Sequence, residues 1–417
     1  MNSPVIPVER VIGLDAHPDS FTAGVVRGPT PAAAIVEKIF NKLPIGQLEK
    51  WALTHTTERD CVVLEASGNS FHLARTLLAL GRKAVVVESC QMGKLKEAHA
   101  NNDKISAVRI AKAYLAGTAK SVWIPDPKTQ ERRDAFHAHR KAVKRATQLI
   151  NRLRSYLSDN GARLEPGFDL QATEAIAGQL RKLRAWTPRQ WIVVEGLLME
   201  LRHAQEQHRH WSSVIAQDVA SDPLLLSLVR LVGVREIVAF AFGAFIGEIG
   251  RFSSPKSLVK YVGLNPAFDD SGEETWHGGI GGHGNKALRA LVIESAQSIL
   301  RSRDPLARWG KKLLARKGSL NLVVAAVARK LVVAVWYLMN GRYSSLQTID
   351  LGLKAKLGKI LAHIEDAHLQ IASLTRRSCR EQMHQTLLHG RVYQLEPPRR
   401  FIPKARPGSV AAEYGLA

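Results

Sequence analysis

Residues 10–26 read RVIGLDAHPDSFTAGVV, two short apolar runs on either side of a turn-forming cluster. The runs RVIGLD (10–15) and FTAGVV (21–26) are rich in residues that favour β-strands. The HPDS segment between them supplies Pro, Asp and Ser, which favour turns. The pattern predicts a β-hairpin whose first strand ends at Asp15.

The sequence after this hairpin predicts an alternation of helices and strands. Two apolar runs, CVVLE (61–65) and AVVVE (84–88), are typical of buried strands. Helical patterns precede and separate them, at about 43–56 and 69–81. Alternating strands and helices predict an α/β domain over residues 1–120, with a mixed sheet flanked by helices.

Residues 121–220 are predicted to form a helical, coiled-coil spacer. Apolar residues recur every three or four positions in a long basic stretch (126–160), and a second long helix is predicted at 188–218. The basic face is either solvated or in contact with a nucleic-acid backbone. The candidate contacts on this face are Arg140, Lys144 and Arg152.

Residues 221–341 are predicted to form an all-α domain. Two helices within 224–250, joined by Val232-Gly233-Val234, resemble a helix-hairpin-helix. A Gly-rich loop is predicted at 263–285 and a long helical region at about 286–340. Residues 342–417 are expected to be a basic extension, partly disordered.

The composition indicates a polyanionic partner. The 417 residues contain 59 Lys and Arg against 37 Asp and Glu, a net charge of +22. Such an excess favours nucleic acid, or less readily an anionic membrane surface. Three isolated cysteines indicate neither disulfides nor a zinc finger. We expect no signal peptide, no membrane span and a cytoplasmic location.

Acidic residues end two of the predicted strands. Asp15 and Glu65 each end a strand, and Asp103 begins a helix. Carboxylates on adjacent strand ends can hold Mg²⁺ together with a substrate phosphate. Each acid taken alone is more simply explained as a strand-end residue bonded to turn amides.

Five phrases, in this order along residues 10–340, resemble the insertion-sequence-110 transposases and the related Piv-type DNA invertases. They are IGLDAHPDS, VVLEASGN, NDKISAVRIA, YVGLNPAFDDSGEETWHGGIGGHGNKALR and VARKLVVAVW. The resemblance implies a ribonuclease-H-like (RuvC-like) N-terminal domain with a DEDD metal site, a coiled-coil spacer, and a C-terminal transposase domain with a nucleophilic serine. It also implies guidance by a structured RNA of the same element.

Carried over by position, the resemblance implies that Asp15, Glu65 and Asp103 are metal-binding acids and that Ser271 is the nucleophile. The family pattern ends in two acids spaced D-x-x-D, and here Ser106 stands at the second. Ser106 lies one helical turn from Asp103, so its hydroxyl can hold a metal-bound water but adds no charge. A site of three acids is expected to bind Mg²⁺ more weakly.

Polar residues at a predicted helix start complete the set of candidates. His283, Asn285, Lys286 and Arg289 open this helix, where basic groups and backbone donors can hold a phosphate or can simply be solvated. The expected function is cleavage and rejoining of duplex DNA, donor and target, by a homo-oligomer, a dimer or a tetramer, in a bacterial nucleoid. The alternatives are a Holliday-junction-type nuclease and a DNA- or RNA-binding protein with weakened catalysis.

Overall fold

The computed structural model describes residues 10–89, 102–162, 164, 173–271, 274–342 and 352–392. The description is confined to the backbone at 173–175, 388–392 and the described part of 267–278. The chain divides at Lys128 into two units, which are described in turn.

A mixed sheet organises the first unit, in the strand order β3-β2-β1-β4-β5-β6. β1 runs antiparallel to β2 and parallel to β4, β4 runs parallel to β5, and β3 and β6 lie antiparallel at the two edges. The strands are β1 (Arg10–Ala16), β2 (Ser20–Arg27), β3 (Ile35–Pro44), β4 (Asp60–Glu65), β5 (Lys83–Val87) and β6 (Ser121–Val122). The predicted hairpin, the two later predicted strands and the mixed sheet are therefore confirmed, and the later strands β4 and β5 prove to be parallel.

Helices cover both faces of this sheet. α1 (Leu48–His55) and α2 (Ser70–Ala79) contribute to one buried cluster, which includes Leu14 and Leu64. α3 (Asp103–Leu115) contributes to the other cluster, which includes Val11 and Val63. Since successive side chains of a strand point to opposite faces, these clusters show which face each strand residue occupies.

The edge strand β3 is absent from the sequence-based prediction, which places the start of a helix near residue 43. Its residues are nearly all exposed or half-exposed, and Ile35 remains 71% exposed. Without a buried apolar face, the segment lacks the alternation that marks a strand. The helix begins at Leu48, after a short 3-10 turn at Ile45–Gln47.

The second unit is mainly helical. Two long helices are joined by a shorter one, and nine more helices follow along the described chain. They are α4 (Pro127–Asp159), α5 (Thr173–Leu183), α6 (Pro188–Ser221), α7 (Pro223–Leu228), α8 (Glu236–Ile246), α9 (Pro255–Val262), α10 (Lys286–Leu300), α11 (Pro305–Lys317), α12 (Leu320–Met339), α13 (Leu353–His363), α14 (Asp366–Ile371) and α15 (Arg376–Val392). The four helices predicted over 126–250 are close to α4, α6, α7 and α8.

The long helices α4 and α6 run antiparallel. Arg132 near the start of α4 pairs with Asp218 near the end of α6, at 2.6 Å. Further along, the Arg145 guanidinium lies 2.5 Å from the Glu200 carboxylate. Apolar side chains such as Leu153 are buried between the helices. Knobs-into-holes packing of a coiled coil stays a prediction.

The core of the second unit forms around the apolar helices α8 and α12. Helix α12 is long and apolar enough to cross a membrane by length and composition. Its residues Val323, Val327, Leu331 and Val335 lie in the buried cluster of this unit. Burial against protein accounts for the apolar composition of these positions.

A β-hairpin occupies most of the segment predicted as a loop. β7 (Pro266–Ser271) pairs antiparallel with β8 (Glu274–Ile280), with Ser271 opposite Glu274. The prediction of a loop over 263–285 is wrong for these residues. Glycines and acidic residues are uncommon in strands, so the sequence of this segment does not predict a hairpin.

The helices α13, α14 and α15 pack into the same core. Leu357, Ile360, Leu369 and Met383 are all buried in the cluster that contains α8 and α12. Residues 352–392, expected in a partly disordered extension, are therefore folded onto the helical unit. The division of this unit into spacer, transposase domain and extension stays a prediction, and residues 393–417 lie outside the described residues.

Candidate active site

Asp15 and Glu65 lie side by side on the central strands. β1 and β4 are parallel with Leu14 opposite Leu64, so Asp15 and Glu65 each follow that pair by one residue. Both leucines point into the α1–α2 core. Since side chains alternate, both carboxylates belong to the opposite face, which α3 covers.

A glycine brings α3 close enough to complete the cluster. Gly13 lies on the α3 face of β1, and a Cβ placed there would overlap the carbonyl oxygen of Ala107 and lie 2.8 Å from the amide nitrogen of Ala111. Only a residue without a side chain permits this approach. The contact holds the middle of α3 against β1, and the start of the helix then places Asp103 beside Asp15.

Asp103 is the first residue of α3. Asn102 caps this helix, because the Asn102 side-chain oxygen accepts a hydrogen bond from the Ile105 amide at 2.9 Å. The positive end of the helix dipole favours a carboxylate at this position. Asp103 is half-buried. The helix start therefore stabilises the negative charge that a metal site needs.

His17 joins the two acids. Its Nε2 lies 3.5 Å from Oδ1 of Asp103 and 4.0 Å from Oδ2 of Asp15. One ligand atom from each of these three residues lies within 4.8 Å of the others. The His17 carbonyl accepts a hydrogen bond from the Asn69 side chain at 2.8 Å, which ties the turn after β1 to the turn after β4. We name Asp15, His17, Glu65 and Asp103 the carboxylate cluster.

Lys42 approaches the same cluster from β3. Its Nζ lies 3.9 Å from Oδ2 of Asp103. A bulge places Asn41 and Lys42 opposite the single residue Thr22, and Lys42 has a positive φ of 50°. The Lys42 amide donates to the buried Thr22 hydroxyl at 3.1 Å. Bulges redirect side chains in this way near functional sites.

Sequence reasoning identified the acids but missed His17 and Lys42. The sequence predicts only a turn at His17, although the spacing Asp-x-His from Asp15 is a signal for a second ligand. Nothing local in the sequence marks Lys42, because its place depends on the bulge. Ser106 is half-buried one turn after Asp103, and its amide bonds to Asn102.

The donor set of the carboxylate cluster fits a hard divalent cation. Carboxylate oxygens are the ligands that Mg²⁺ prefers, and two of the three acids are already within reach of one ion. His17 adds a nitrogen, which suits Mn²⁺ or Zn²⁺ better than Mg²⁺. The residues present can therefore hold a divalent metal ion.

Ser271 lies at the end of β7, on a hairpin that is closed at its base. Nη1 of Arg289 donates to the carbonyls of Gly263, Gly281 and His283 at 3.1, 3.0 and 2.8 Å. These carbonyls belong to the two chain segments that enter and leave the hairpin. We name this arrangement the hairpin neck.

Two of the candidate nucleic-acid contacts, Arg289 and Asn285, therefore form hydrogen bonds within the protein. Arg289 binds the neck, and the side chain of Asn285 caps α10 by accepting the Leu288 amide at 3.0 Å. His283 and Lys286 are exposed. Arg140, Lys144 and Arg152 are exposed on α4, while the nearby Arg145 is paired with Glu200.

Comparison with known protein families agrees with this arrangement. Residues 12–160 match the DEDD transposase domain of IS110 elements, and residues 227–309 match the transposase family IS116/IS110/IS902. Together the two matches cover more than half of the chain. The first match includes β1, β4 and α3, and the sheet it contains has the ribonuclease-H-like character of DEDD transposases.

Individual relatives are also transposases. The transposase for insertion sequence element IS1111A of Coxiella burnetii is 27% identical over 67% of this chain and 78% of its own length. A probable family 20 transposase of Pseudomonas aeruginosa is 25% identical over 67% of this chain and 83% of its own length. The transposase for insertion sequence element IS1328 of Yersinia enterocolitica is 23% identical over 79% of this chain and 97% of its own length. With both family domains in order and the acids of the first brought together, the chain belongs to the IS110 family of transposases, enzymes that cleave and recombine DNA.

Proposed function

We propose that this transposase cleaves and rejoins strands of donor and target duplex DNA, with Mg²⁺ at the carboxylate cluster, Ser271 as nucleophile and a structured RNA as guide. One observation carries the metal-dependent part: Asp15 and Glu65 share a sheet face with the helix that presents Asp103, and His17 lies within 4.0 Å of two of these acids. No stabilising role in the fold requires three acids to converge, because like charges repel.

In this proposal Asp15, Glu65 and Asp103 hold the metal ion. When bound, the ion neutralises charge on the scissile phosphate and makes the phosphorus more electrophilic. Lys42, whose side chain is 69% exposed, adds a positive charge for the phosphate backbone beside the site. Ser106 contributes no charge, so the affinity for Mg²⁺ depends on three acids.

The proposed covalent step uses Ser271. Its oxygen attacks the scissile phosphorus, a serine–phosphate ester forms, and the bond to the departing deoxyribose oxygen breaks as that oxygen gains a proton. A hydroxyl of the recipient strand then attacks the same phosphorus and returns the serine. The phosphodiester energy is conserved, so no external energy source is required.

The basic surface supports binding of DNA and guide RNA. Arg140, Lys144 and Arg152 are exposed on α4, and the net charge is +22. Such a face binds phosphates with an affinity that falls with salt. The action on DNA in a bacterial cell implies a cytoplasmic, nucleoid-associated protein without a membrane role, and we propose a dimer or a tetramer.

Two other functions would use the same residues. A Holliday-junction-type nuclease would need the carboxylate cluster and water but not Ser271, and the convergence of the acids favours it equally. A binding protein with weakened catalysis is favoured by Ser106. A covalent DNA adduct separates the first alternative from the proposal, and Mg²⁺-dependent strand exchange separates the second.

The metal site is tested by Asp15→Asn and Glu65→Gln in a recombination assay with the guide RNA. Both are expected to abolish recombination with the circular dichroism spectrum unchanged. Asp19→Asn is the matched control, because Asp19 is an exposed acid in the same turn as His17. Recombination at the wild-type rate in Asp15→Asn would show that the cluster is not the metal site.

A further inference from the structure

A second cluster of metal-ligating side chains lies in the helical unit, within the part of the chain that no family match covers. It consists of His210 on α6, Glu365 just before α14, and His368 in α14. One ligand atom from each lies within 4.8 Å of the others. Glu365 and His368 are spaced i, i+3, so they project from the same side of one turn.

The scaffold around this cluster is fixed by a buried serine. Ser213, fully buried on α6, has its hydroxyl 2.6 Å from Nδ1 of His368 and accepts the Glu365 amide at 2.8 Å. Gln217, one turn further, donates to the His368 carbonyl at 3.3 Å. Three polar bonds thus anchor the turn that carries two of the three candidate ligands.

The bond to Ser213 has the form that metal-binding histidines usually have. With Nδ1 engaged by the serine oxygen, Nε2 of His368 is left for an ion, and the ring orientation is held in advance. Ser213 is too deeply buried to be a ligand itself. The Ser213 hydroxyl therefore orients the His368 ring and does not bind the ion.

The ligand types and spacing fit zinc. Two imidazoles and one carboxylate form a known three-ligand Zn²⁺ set, completed by a water molecule. Tetrahedral bonds of about 2.1 Å place ligand atoms roughly 3.4 Å apart, against the separations of up to 4.8 Å seen here. His210 and Glu365 are exposed, so their side chains can make the adjustment while His368 stays fixed.

We propose that His210, Glu365 and His368 bind a Zn²⁺ ion that links α6 to the α13–α14 turn. The ion would cross-link two segments 155 residues apart in sequence, and so stabilise the docking of the C-terminal helices. This role is structural and independent of the DNA chemistry at the carboxylate cluster.

The experiment uses the full chain, purified without a polyhistidine tag and stripped of metal with a chelator. Co²⁺ is titrated as the spectroscopic probe, followed by Zn²⁺. We expect one equivalent of Co²⁺ to produce the visible absorption of a tetrahedral site, Zn²⁺ to displace it, and Zn²⁺ to raise the melting temperature. Asp15→Asn serves as the background, so that metal at the carboxylate cluster does not contribute.

In this background, His210→Ala and Glu365→Gln are expected to remove the visible band and the Zn²⁺-dependent rise in melting temperature. Ser213→Ala is expected to weaken Zn²⁺ binding by about 10- to 100-fold. His203→Ala, at an exposed histidine of the same helix, is the matched control and is expected to behave as the parent protein. Absence of the visible Co²⁺ band from the Asp15→Asn protein, or its persistence when His210→Ala is added, would overturn the proposal.

Discussion

Gly13→Ala tests the close packing that assembles the carboxylate cluster. The added methyl group would lie 2.8 Å from the Ala111 amide nitrogen and would overlap the Ala107 carbonyl. Backbone atoms cannot rotate away, so α3 and β1 have to separate by roughly 1 Å to restore van der Waals contact. Overpacking of this kind costs about 1–3 kcal/mol, and the loss of glycine flexibility in the unfolded chain offsets about 0.5 kcal/mol of it.

The displacement also affects metal binding, since Asp103 moves with α3 away from Asp15. We expect Gly13→Ala to lower the free energy of unfolding by about 1–2 kcal/mol and to raise the Mg²⁺ concentration needed for half-maximal DNA cleavage. Denaturant unfolding and a Mg²⁺ titration of cleavage measure the two effects. Gly46→Ala is the control, because a Cβ at Gly46 meets no atom within 4 Å. Equal stability and equal Mg²⁺ dependence of the two variants would refute the reasoning.

Three further predictions concern Ser106, Arg289 and His139. Ser106→Asp adds a carboxylate one turn from Asp103 and is expected to lower the Mg²⁺ requirement of recombination; an equal or higher requirement would contradict a place for Ser106 at the metal. Arg289→Ala removes three bonds at the hairpin neck and is expected to cost about 2 kcal/mol of stability, without changing the salt dependence of DNA affinity; a smaller salt slope would identify Arg289 as a phosphate contact. His139 is buried, and burial, followed by the neighbouring His208, lowers its pKa to about 4. Because the unfolded chain then binds the extra proton, stability is expected to fall by about 3 kcal/mol between pH 6.5 and 4, and His139→Leu to lessen this fall; an unaltered pH dependence of unfolding would contradict the prediction.

The strands that were predictable are those buried on both faces. β1, β2, β4 and β5 are short apolar runs bounded by polar turns. Asp15 and Glu65, at the ends of β1 and β4, lie at one edge of the sheet because these two strands run in the same direction. β3 and the β7–β8 hairpin were not predictable in this way. Their pairing is set by neighbouring strands and by the hairpin neck, and their residues carry no apolar alternation.

The site was predictable as far as its acids. Strand ends, a helix start and the family resemblance predict Asp15, Glu65 and Asp103 as metal ligands, and the structure places Asp15 and Asp103 within reach of one ion. His17 and Lys42 required the turn geometry and the bulge opposite Thr22, which depend on contacts between distant segments. The sequence predicts a basic extension over 342–417 with disorder in the Pro-, Arg- and Gly-rich stretch 396–408, which lies outside the described residues, and it does not predict that apolar positions such as Leu357 and Met383 dock the helices of 352–392.

The most direct test of the proposed chemistry is to trap the reaction with the wild-type protein, guide RNA, DNA and Mg²⁺, and to map any covalent adduct by digestion and mass spectrometry. The account predicts a nucleotide on the peptide that contains Ser271, no adduct in Ser271→Ala or Asp15→Asn, and normal RNA and DNA binding by Ser271→Ala. Cleavage retained in Ser271→Ala, with free 3′-hydroxyl and 5′-phosphate ends and no adduct in the wild type, would contradict it and identify a nuclease that uses water.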